Sequence, residues 1–505
     1  MILRILERTA EKTDSGANGA LVFMNKIEKG TERVSSGVEG IDKVTEGGFP
    51  SGSLILLAGN AGTGKTVLSS KFLFKGAESG ETGMYVSFAE NKETYTHNIT
   101  QHLGDQNRVY LDNGKVEYLD LMTVRDQGTA LVLETILTEA KRLNVKRLVI
   151  DSFSAMAQGF KDPIDGRIVL HSILGKIVRN QGCTTLLISE IPRGEQRIGI
   201  GYEEFVVDGE ILLTMGEHEG RFIRELEILK MRGTRLGERR LIFTLESGFI
   251  AVPESRDRVE KVDSRFSPPS DSPDKFSTGI YELDRLLDGG YSRGSLVLLE
   301  IDANIRENQN TLFITPTRTA FLSRGRGSVT IPSSGVTYDT ISNRMLSGGF
   351  SEEELNRLVK ICLFESSYAP DKPFIVKLNG ENLKEDSEIF FKTSEKLSKE
   401  TRQPVLSIVG LNNLLAHYEV EDVVRMWNFA APIFKERGDL GLIILKPTDY
   451  KGLSSVLSSL VDVHLRMTRR HGTLLLHGVK PRIGLQIVQL DPSRGYFIPS
   501  LTAIT

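Results

Sequence analysis

Leu54-Ile-Leu-Leu-Ala-Gly59-Asn-Ala-Gly62-Thr63-Gly64-Lys65-Thr66-Val67 reads as a strand, a tight loop and the start of a helix. The uncharged apolar run Leu54–Ala58 leads into glycines, and a helical pattern over Val67–Ala77 follows. Residues 59–66 fit G-x-x-x-x-G-K-[S/T] in the strand–loop–helix setting that this motif requires. Its glycines let backbone N–H groups turn inward around phosphates. The helix start adds the positive end of its dipole. In such a loop Lys65 reaches the β- and γ-phosphates, and the Thr66 hydroxyl ligates Mg²⁺.

A phosphate loop of this kind needs an acid at the end of a neighbouring strand. Arg147-Leu-Val-Ile150-Asp151 supplies one, 86 residues after Lys65. Its apolar run places Asp151 at a strand's C-terminal end, where it would hold the Mg²⁺ shell. Val86-Ser-Phe88-Ala89-Glu90 ends another strand, and Glu90 is the candidate to orient or deprotonate water, against the reading of an exposed loop glutamate. The runs Leu54–Ala58, Gly83–Phe88, Arg147–Ile150 and Thr185–Ser189 carry few charges, as strands buried on both faces of a parallel sheet do. Helical patterns over Val67–Ala77 and Leu131–Leu143 lie between them. Strand–helix alternation of this kind means an α/β fold.

The chain is also a duplication. Ser36-Gly-Val-Glu-Gly-Ile-Asp42, Gly47-Gly48 and Gly52-Ser-Leu-Ile-Leu-Leu57 recur as Thr278-Gly-Ile-Tyr-Glu-Leu-Asp284, Gly289-Gly290 and Gly294-Ser-Leu-Val-Leu-Leu299. One offset serves all three blocks, since 279 − 37, 289 − 47 and 294 − 52 each equal 242. The repeat is far too long for a solenoid unit. The expectation is two tandem domains of one fold, each a mostly parallel twisted sheet flanked by helices. An arm (1–30) precedes the first domain (31–252), and a Pro- and Ser-rich linker (253–275) precedes the second (276–505).

The first domain resembles the KaiC branch of the RecA-superfamily ATPases. The resemblance spans about residues 34–252 and rests on the Ser36–Gly48 preface, the phosphate loop, Glu90 and Asp151. It rests further on Gly201-Tyr-Glu203-Glu204-Phe205-Val-Val-Asp208 and on Leu226-Glu-Ile-Leu-Lys230-Met231-Arg232-Gly233-Thr234. It implies a RecA-like core, ATP with Mg²⁺ bound between adjacent subunits, and a homo-oligomeric ring, often a hexamer. Lys230 and Arg232 match the Lys-x-Arg pair that in this family reaches a neighbour's γ-phosphate. Alternate strand residues share a face, so two such cations could neutralise developing charge together. Their plain reading is two solvated basic residues on an edge strand. The residues taken to contact nucleotide are thus Gly59, Gly62, Thr63, Gly64, Lys65, Thr66, Val67, Asp151, Lys230, Met231, Arg232 and Thr234, with Thr66 and Asp151 on the metal. Where the family has two consecutive glutamates this chain has Ala89-Glu90, which supports ATP binding better than rapid hydrolysis.

In the second domain the offset sets Ile301-Asp-Ala-Asn304-Ile-Arg306-Glu307-Asn308 against the phosphate loop. All three glycines are gone, Glu307 stands for Lys65 and Asn308 for Thr66. Gly410, in Pro404-Val-Leu-Ser-Ile-Val409-Gly410, stands for Asp151. No Mg-nucleotide is expected there. Asp462 and the Lys480-Pro481-Arg482 spacing resemble Asp208 and the Lys-x-Arg pair. No clear counterpart of the family's phosphorylated serine and threonine occurs, so a circadian autokinase is not expected. Two basic clusters, Arg324 with Arg326 and Arg466, Arg469, Arg470 with His471, read as hairpin turns with solvated charge, or as polyanion sites.

Composition bounds the rest. With 63 basic and 66 acidic residues, the whole surface is no polyanion glove. Two cysteines, Cys183 and Cys362, in apolar settings exclude a four-cysteine zinc site, and the histidines offer no metal spacing beyond the Mg²⁺ site. No apolar run reaches 18 residues and the N-terminus is no signal peptide, so a cytoplasmic protein without membrane contact is expected. Three functions compete: a KaiC-like ATP-binding regulator, weakly ATP-hydrolysing; a GvpD-type transcription-linked regulator; and a recombinase paralogue acting on DNA, which the balanced charge does not favour.

Overall fold

The computed structural model describes residues 32–122, 129–157, 170, 174–192, 194, 206–254, 265–306, 309–364, 372–446, 450, 452–490 and 498–505. The expected arm at 1–30, the segment 201–205, the stretch 255–264, Glu307 and Asn308 lie outside them. The described residues form two compact units. One reaches Gly216 and resumes at Arg224–Pro253; the other holds Glu217–Ile223 and Glu254–Thr505.

Each apolar run of the first unit is a strand. β1 (Leu54–Gly59), β2 (Gly83–Ser87), β3 (Val116–Asp120), β4 (Arg147–Asp151) and β5 (Thr184–Glu190) pair in parallel, and β6 (Gly209–His218) joins β1 in parallel. β7 (Arg221–Met231), β8 (Arg240–Thr244) and β9 (Ile250–Val252) extend the sheet, with β8 antiparallel to both neighbours. The order is β9-β8-β7-β6-β1-β5-β4-β2-β3. β1 is buried along its whole length because it is central and covered on both faces. Ile55 and Leu57 join one core with Val67, Leu68 and Phe72, while Leu54 and Leu56 join another with Val132 and Ile136. The helices behind those cores are α1 (Lys65–Glu78) and α3 (Thr129–Arg142); α2 (Lys92–Leu103) precedes β3.

The second unit repeats this topology. Its strands are β10 (Leu296–Ile301), β11 (Ser328–Ile331), β12 (Val359–Phe364), β13 (Ile375–Leu378), β14 (Leu406–Gly410), β15 (Leu440–Leu445), β16 (Val463–Arg470), β17 (Thr473–Lys480), β18 (Ile483–Leu490) and β19 (Pro499–Ala503). They lie in the order β13-β12-β11-β14-β15-β10-β16-β17-β18-β19. Read from the far edge, this is the first sheet's order with β13 added.

The repeated sequence blocks have a structural cause. Asp42 accepts from the Ser36 amide (2.8 Å) and the Ser36 hydroxyl (2.6 Å), and Asp284 accepts from the Thr278 amide (2.7 Å) and the Ser277 hydroxyl (2.6 Å). Gly37 and Gly279 both sit at φ near +80°. A Cβ there would fall 2.6 Å from the Lys71 carbonyl oxygen and 2.3 Å from that of Pro316. Only glycine meets both demands.

In the two basic clusters, Arg324, Arg326, Arg466 and Arg469 engage partners within their unit. Arg324 and Arg326 lie in the turn between α4 (Ile314–Leu322) and β11, and both are drawn inward. The buried Arg326 pairs with Asp271 at 2.6 Å and lies over the rings of Phe276 and Phe321. Asp271 belongs to the stretch read as a linker; from 265 on, that stretch is part of the second unit. The other cluster does form a hairpin, β16–β17. Within it Arg466 pairs with Glu219 at 2.9 Å and Asp302 at 3.2 Å, and Arg469 binds the Gly472 carbonyl and Gln309. Arg326 is thus buried and paired, and Arg466 and Arg469 are half-buried with partners inside their own unit.

Removing one partner of a buried ion pair leaves the other uncompensated. Arg326→Ala should therefore destabilise the second unit by roughly 3 kcal/mol in urea unfolding of the full chain, and Arg326→Met with Asp271→Leu should recover most of the loss. An Arg326→Ala protein as stable as the unaltered one would contradict this packing.

Candidate functional site

The site lies where β1 ends. Gly59 is in register with Glu190 of β5 and with Leu213 of β6. Residues 60–64 then turn sharply into α1. Asn60 Nδ2 donates to the Ile191 carbonyl (2.8 Å), and the Thr63 hydroxyl donates to the Asn60 carbonyl (2.8 Å). Gly62 and Gly64 take φ of 78° and 96°. α1 begins at Lys65 with no side-chain cap. Its first-turn N–H groups are therefore free of side-chain acceptors, which suits an anion. Lys65 is buried, and its ammonium donates to the carbonyls of Gly59 (2.9 Å) and Asn60 (2.8 Å). Burial lowers its pKa, and the nearby Glu190 and Asp151 carboxylates oppose that. Val67 packs into the core.

Asp151 ends β4, and the Thr66 hydroxyl lies 3.4 Å from its Oδ2. A hydroxyl and a carboxylate brought together offer hard oxygen donors, the set that Mg²⁺ prefers, so the residues present fit that cation. Burial raises the Asp151 pKa, against hydrogen bonds from Tyr85 and Thr66 and the charge of Lys65. Glu90 follows β2 on a pinned turn: its amide donates to Ser87 Oγ (3.1 Å) and its carbonyl accepts from Tyr118 (2.7 Å). Asn98 donates to its carboxylate (3.2 Å). Burial, and then the Asp151 charge, raises the Glu90 pKa. That is the direction a proton acceptor near neutrality needs. Ala89 beside it is exposed and brings no carboxylate.

Lys230, Met231, Arg232 and Thr234 are not brought to this loop within the chain. The Arg232 amide bonds the Asp208 carbonyl, and Gly209 stands beside Ile55 at the start of β1. From Asp208 to Leu213, level with Gly59, the strand rises about 16 Å. The four residues therefore lie at the opposite end of the sheet. β7 lies between β6 and β8, so it is no edge strand. Lys230 donates to the Val207 carbonyl (2.7 Å) and Arg232 to Asp208 (3.4 Å); Met231 is buried, and the Thr234 hydroxyl accepts from Arg33.

Sequence reasoning missed three residues. Glu190 ends the strand next to β1, so the rule that finds Asp151 finds it too. Arg224 donates to the Gly62 carbonyl (3.0 Å), with no local cue beyond its charge on a strand. Tyr85 donates to Asp151 and is hidden inside an apolar run.

The second unit closes the equivalent place. β10 ends at Ile301, and α4 spans Ile314–Leu322. A Cβ at Gly410 would fall 2.3 Å from Ser333 Cα and 2.4 Å from Ser333 N. Backbone thus occupies the space that an acidic side chain would need. The cavity beside the first turn of α4, lined by Thr311, Arg318 and Ser333 among others, measures about 30 Å³. That is water-sized.

Residues 34–257 match the family model described as ATPase: KaiC, and residues 265–348 match GvpD basic region 2. The chain is similar to a UPF0273 protein of Pyrococcus horikoshii, 32% identical over 239 residues, which are 44% of this chain and 95% of that one. It is similar to circadian clock protein KaiC3 of Synechocystis sp., 27% identical over 54% of each chain. Among solved structures, a KaiC-like protein from Pyrococcus horikoshii is 34% identical over 44% of this chain and all of its own, with a TM-score of 0.40. Among the described residues no helix is long and apolar enough to cross a membrane.

The loop's shape depends on Gly64. Its φ is left-handed, and a Cβ there would sit 3.1 Å from the Leu245 side chain. Gly64→Ala should cost about 1–3 kcal/mol in thermal or urea unfolding of the first unit. An alanine variant of unchanged stability would show that the loop conformation is not the one described.

Proposed function

Because the chain belongs to the KaiC-like branch of the RecA-superfamily P-loop ATPases, we propose that its first unit binds ATP with Mg²⁺ and serves as a nucleotide-dependent regulatory switch. The observation that carries this reading is the grouping of the 59–64 loop, Lys65 and Thr66 after β1 with Asp151 at the C-terminal end of β4, one strand away across β5. In it, loop amides and Lys65 hold the phosphates, while Thr66 and Asp151 hold the cation. Mg²⁺, when bound, spreads the charge of the β- and γ-phosphate oxygens. Glu90 orients the attacking water. With Ala89 in place of a second carboxylate, turnover is slow, so the protein is a weak ATPase whose bound state matters more than its rate.

Lys230 and Arg232 lie too far from their own chain's loop to touch its nucleotide. In our reading they act on the nucleotide of a neighbouring copy, in a homo-oligomeric ring that ATP stabilises. The second unit, closed to nucleotide, presents the ring state to a protein partner. The match of 265–348 to GvpD basic region 2 favours, as a second reading, a GvpD-type transcription-linked regulator. Both readings keep the same switch and differ in the partner. No observation favours a recombinase acting on DNA.

Lys65→Ala tests the switch. The loss of a charged donor to phosphate should weaken Mg-ATP binding roughly ten- to a hundredfold in calorimetry, and the variant should no longer change assembly state with Mg-ATP in sedimentation. A variant that keeps both nucleotide affinity and assembly would overturn the proposal.

A further inference from the structure

Three buried tyrosines stand behind the phosphate loop, and each hydroxyl ends on a different part of the site. Tyr85 donates to Asp151 Oδ2. Tyr95 shares a hydrogen bond of 2.7 Å with Ser70 of α1, whose hydroxyl in turn donates to the Thr66 carbonyl (2.7 Å). Tyr118 donates to the Glu90 carbonyl (2.7 Å). The rings pack on one another, with centroids 4.5 Å apart for Tyr85–Tyr95, 4.8 Å for Tyr95–Tyr118 and 5.6 Å for the stacked pair Tyr85–Tyr118. Such contacts fix ring positions. Three elements far apart in sequence are thereby held in one register: the end of β4, the first turns of α1 and the turn after β2.

We propose that Tyr85 is a positioning residue for the divalent cation: its hydroxyl donates to Asp151 Oδ2, the oxygen that also faces the Thr66 hydroxyl at 3.4 Å, and so fixes the carboxylate that together with Thr66 would hold the cation. The inference rests on the Mg-ATP reading of the first unit. Asp151 is half-buried, and the Tyr85 that donates to it is fully buried. A charge-assisted O–H donor is among the strongest available. It also fixes the plane of the carboxylate, and a ligand's outer hydrogen-bond partner tunes metal affinity by roughly ten- to a hundredfold.

Tyr85→Phe keeps the stacked ring and removes only the hydroxyl. Binding of a fluorescent ATP analogue to the full chain is titrated with Mg²⁺, and repeated in excess chelator. For Tyr85→Phe the Mg²⁺ concentration giving half-maximal binding should rise about tenfold, while affinity in chelator stays within about twofold of the unaltered protein's. Tyr118→Phe, which loses a bond to a backbone carbonyl and not to Asp151, should keep the unaltered Mg²⁺ requirement. The proposal is overturned if Tyr85→Phe titrates with Mg²⁺ as the unaltered protein does. It is equally overturned if the two variants shift alike, or if Tyr85→Phe loses the same affinity with and without Mg²⁺, since the cluster would then act as packing alone. If the unaltered protein binds no analogue with Mg²⁺, the Mg-ATP reading itself fails and this inference falls with it.

Discussion

Five residues, 60–64, separate the end of β1 from the start of α1, and that shortness governs the first unit's chemistry. A helix beginning so soon after a central strand must aim its uncapped N–H groups at the space above the sheet. Gly62 and Gly64 make the turn by adopting left-handed backbone that side chains resist. In the second unit the α-helix α4 spans Ile314–Leu322, and the Ser333 backbone fills the space beside Gly410. The same sheet order therefore carries a tight loop after β1 in the first unit and a blocked strand end at Gly410 in the second.

Comparing the units separates what serves the fold from what serves the ligand. Asp208 accepts from the Leu54 amide at the start of β1, and Asp462 accepts from the Leu296 amide at the start of β10. Lys230 donates to the Val207 carbonyl, and Lys480 donates to the Val461 carbonyl. These pairs, like Asp42 and Asp284, recur in both units. The lysine of the Lys-x-Arg pair thus has a structural bond of its own, independent of any neighbour's nucleotide. At the equivalent strand end the units differ in the acid: Asp151 ends β4, and Gly410 ends β14.

Much of this was legible in the sequence because it is written locally. Apolar runs gave the strands of the parallel core, glycine spacing marked the loop, and Asp151 followed from its place at a strand end. The misreadings share one cause: partners distant in the chain. Arg326 looked like loop charge because Asp271, 55 residues earlier, is what buries it. Tyr85 passed as one more apolar residue because its hydroxyl partner lies 66 residues on. Gly410 was legible as a missing acid, but the closing of that space by the Ser333 backbone belongs to tertiary packing alone.

The central claim is one live site and one closed site per chain. Native mass spectrometry of the full chain at saturating Mg-ATP counts nucleotides directly. The account predicts one nucleotide for each chain in whatever assembly forms. Two per chain would contradict it, because the second would have to occupy the place beside Gly410 that the Ser333 backbone fills.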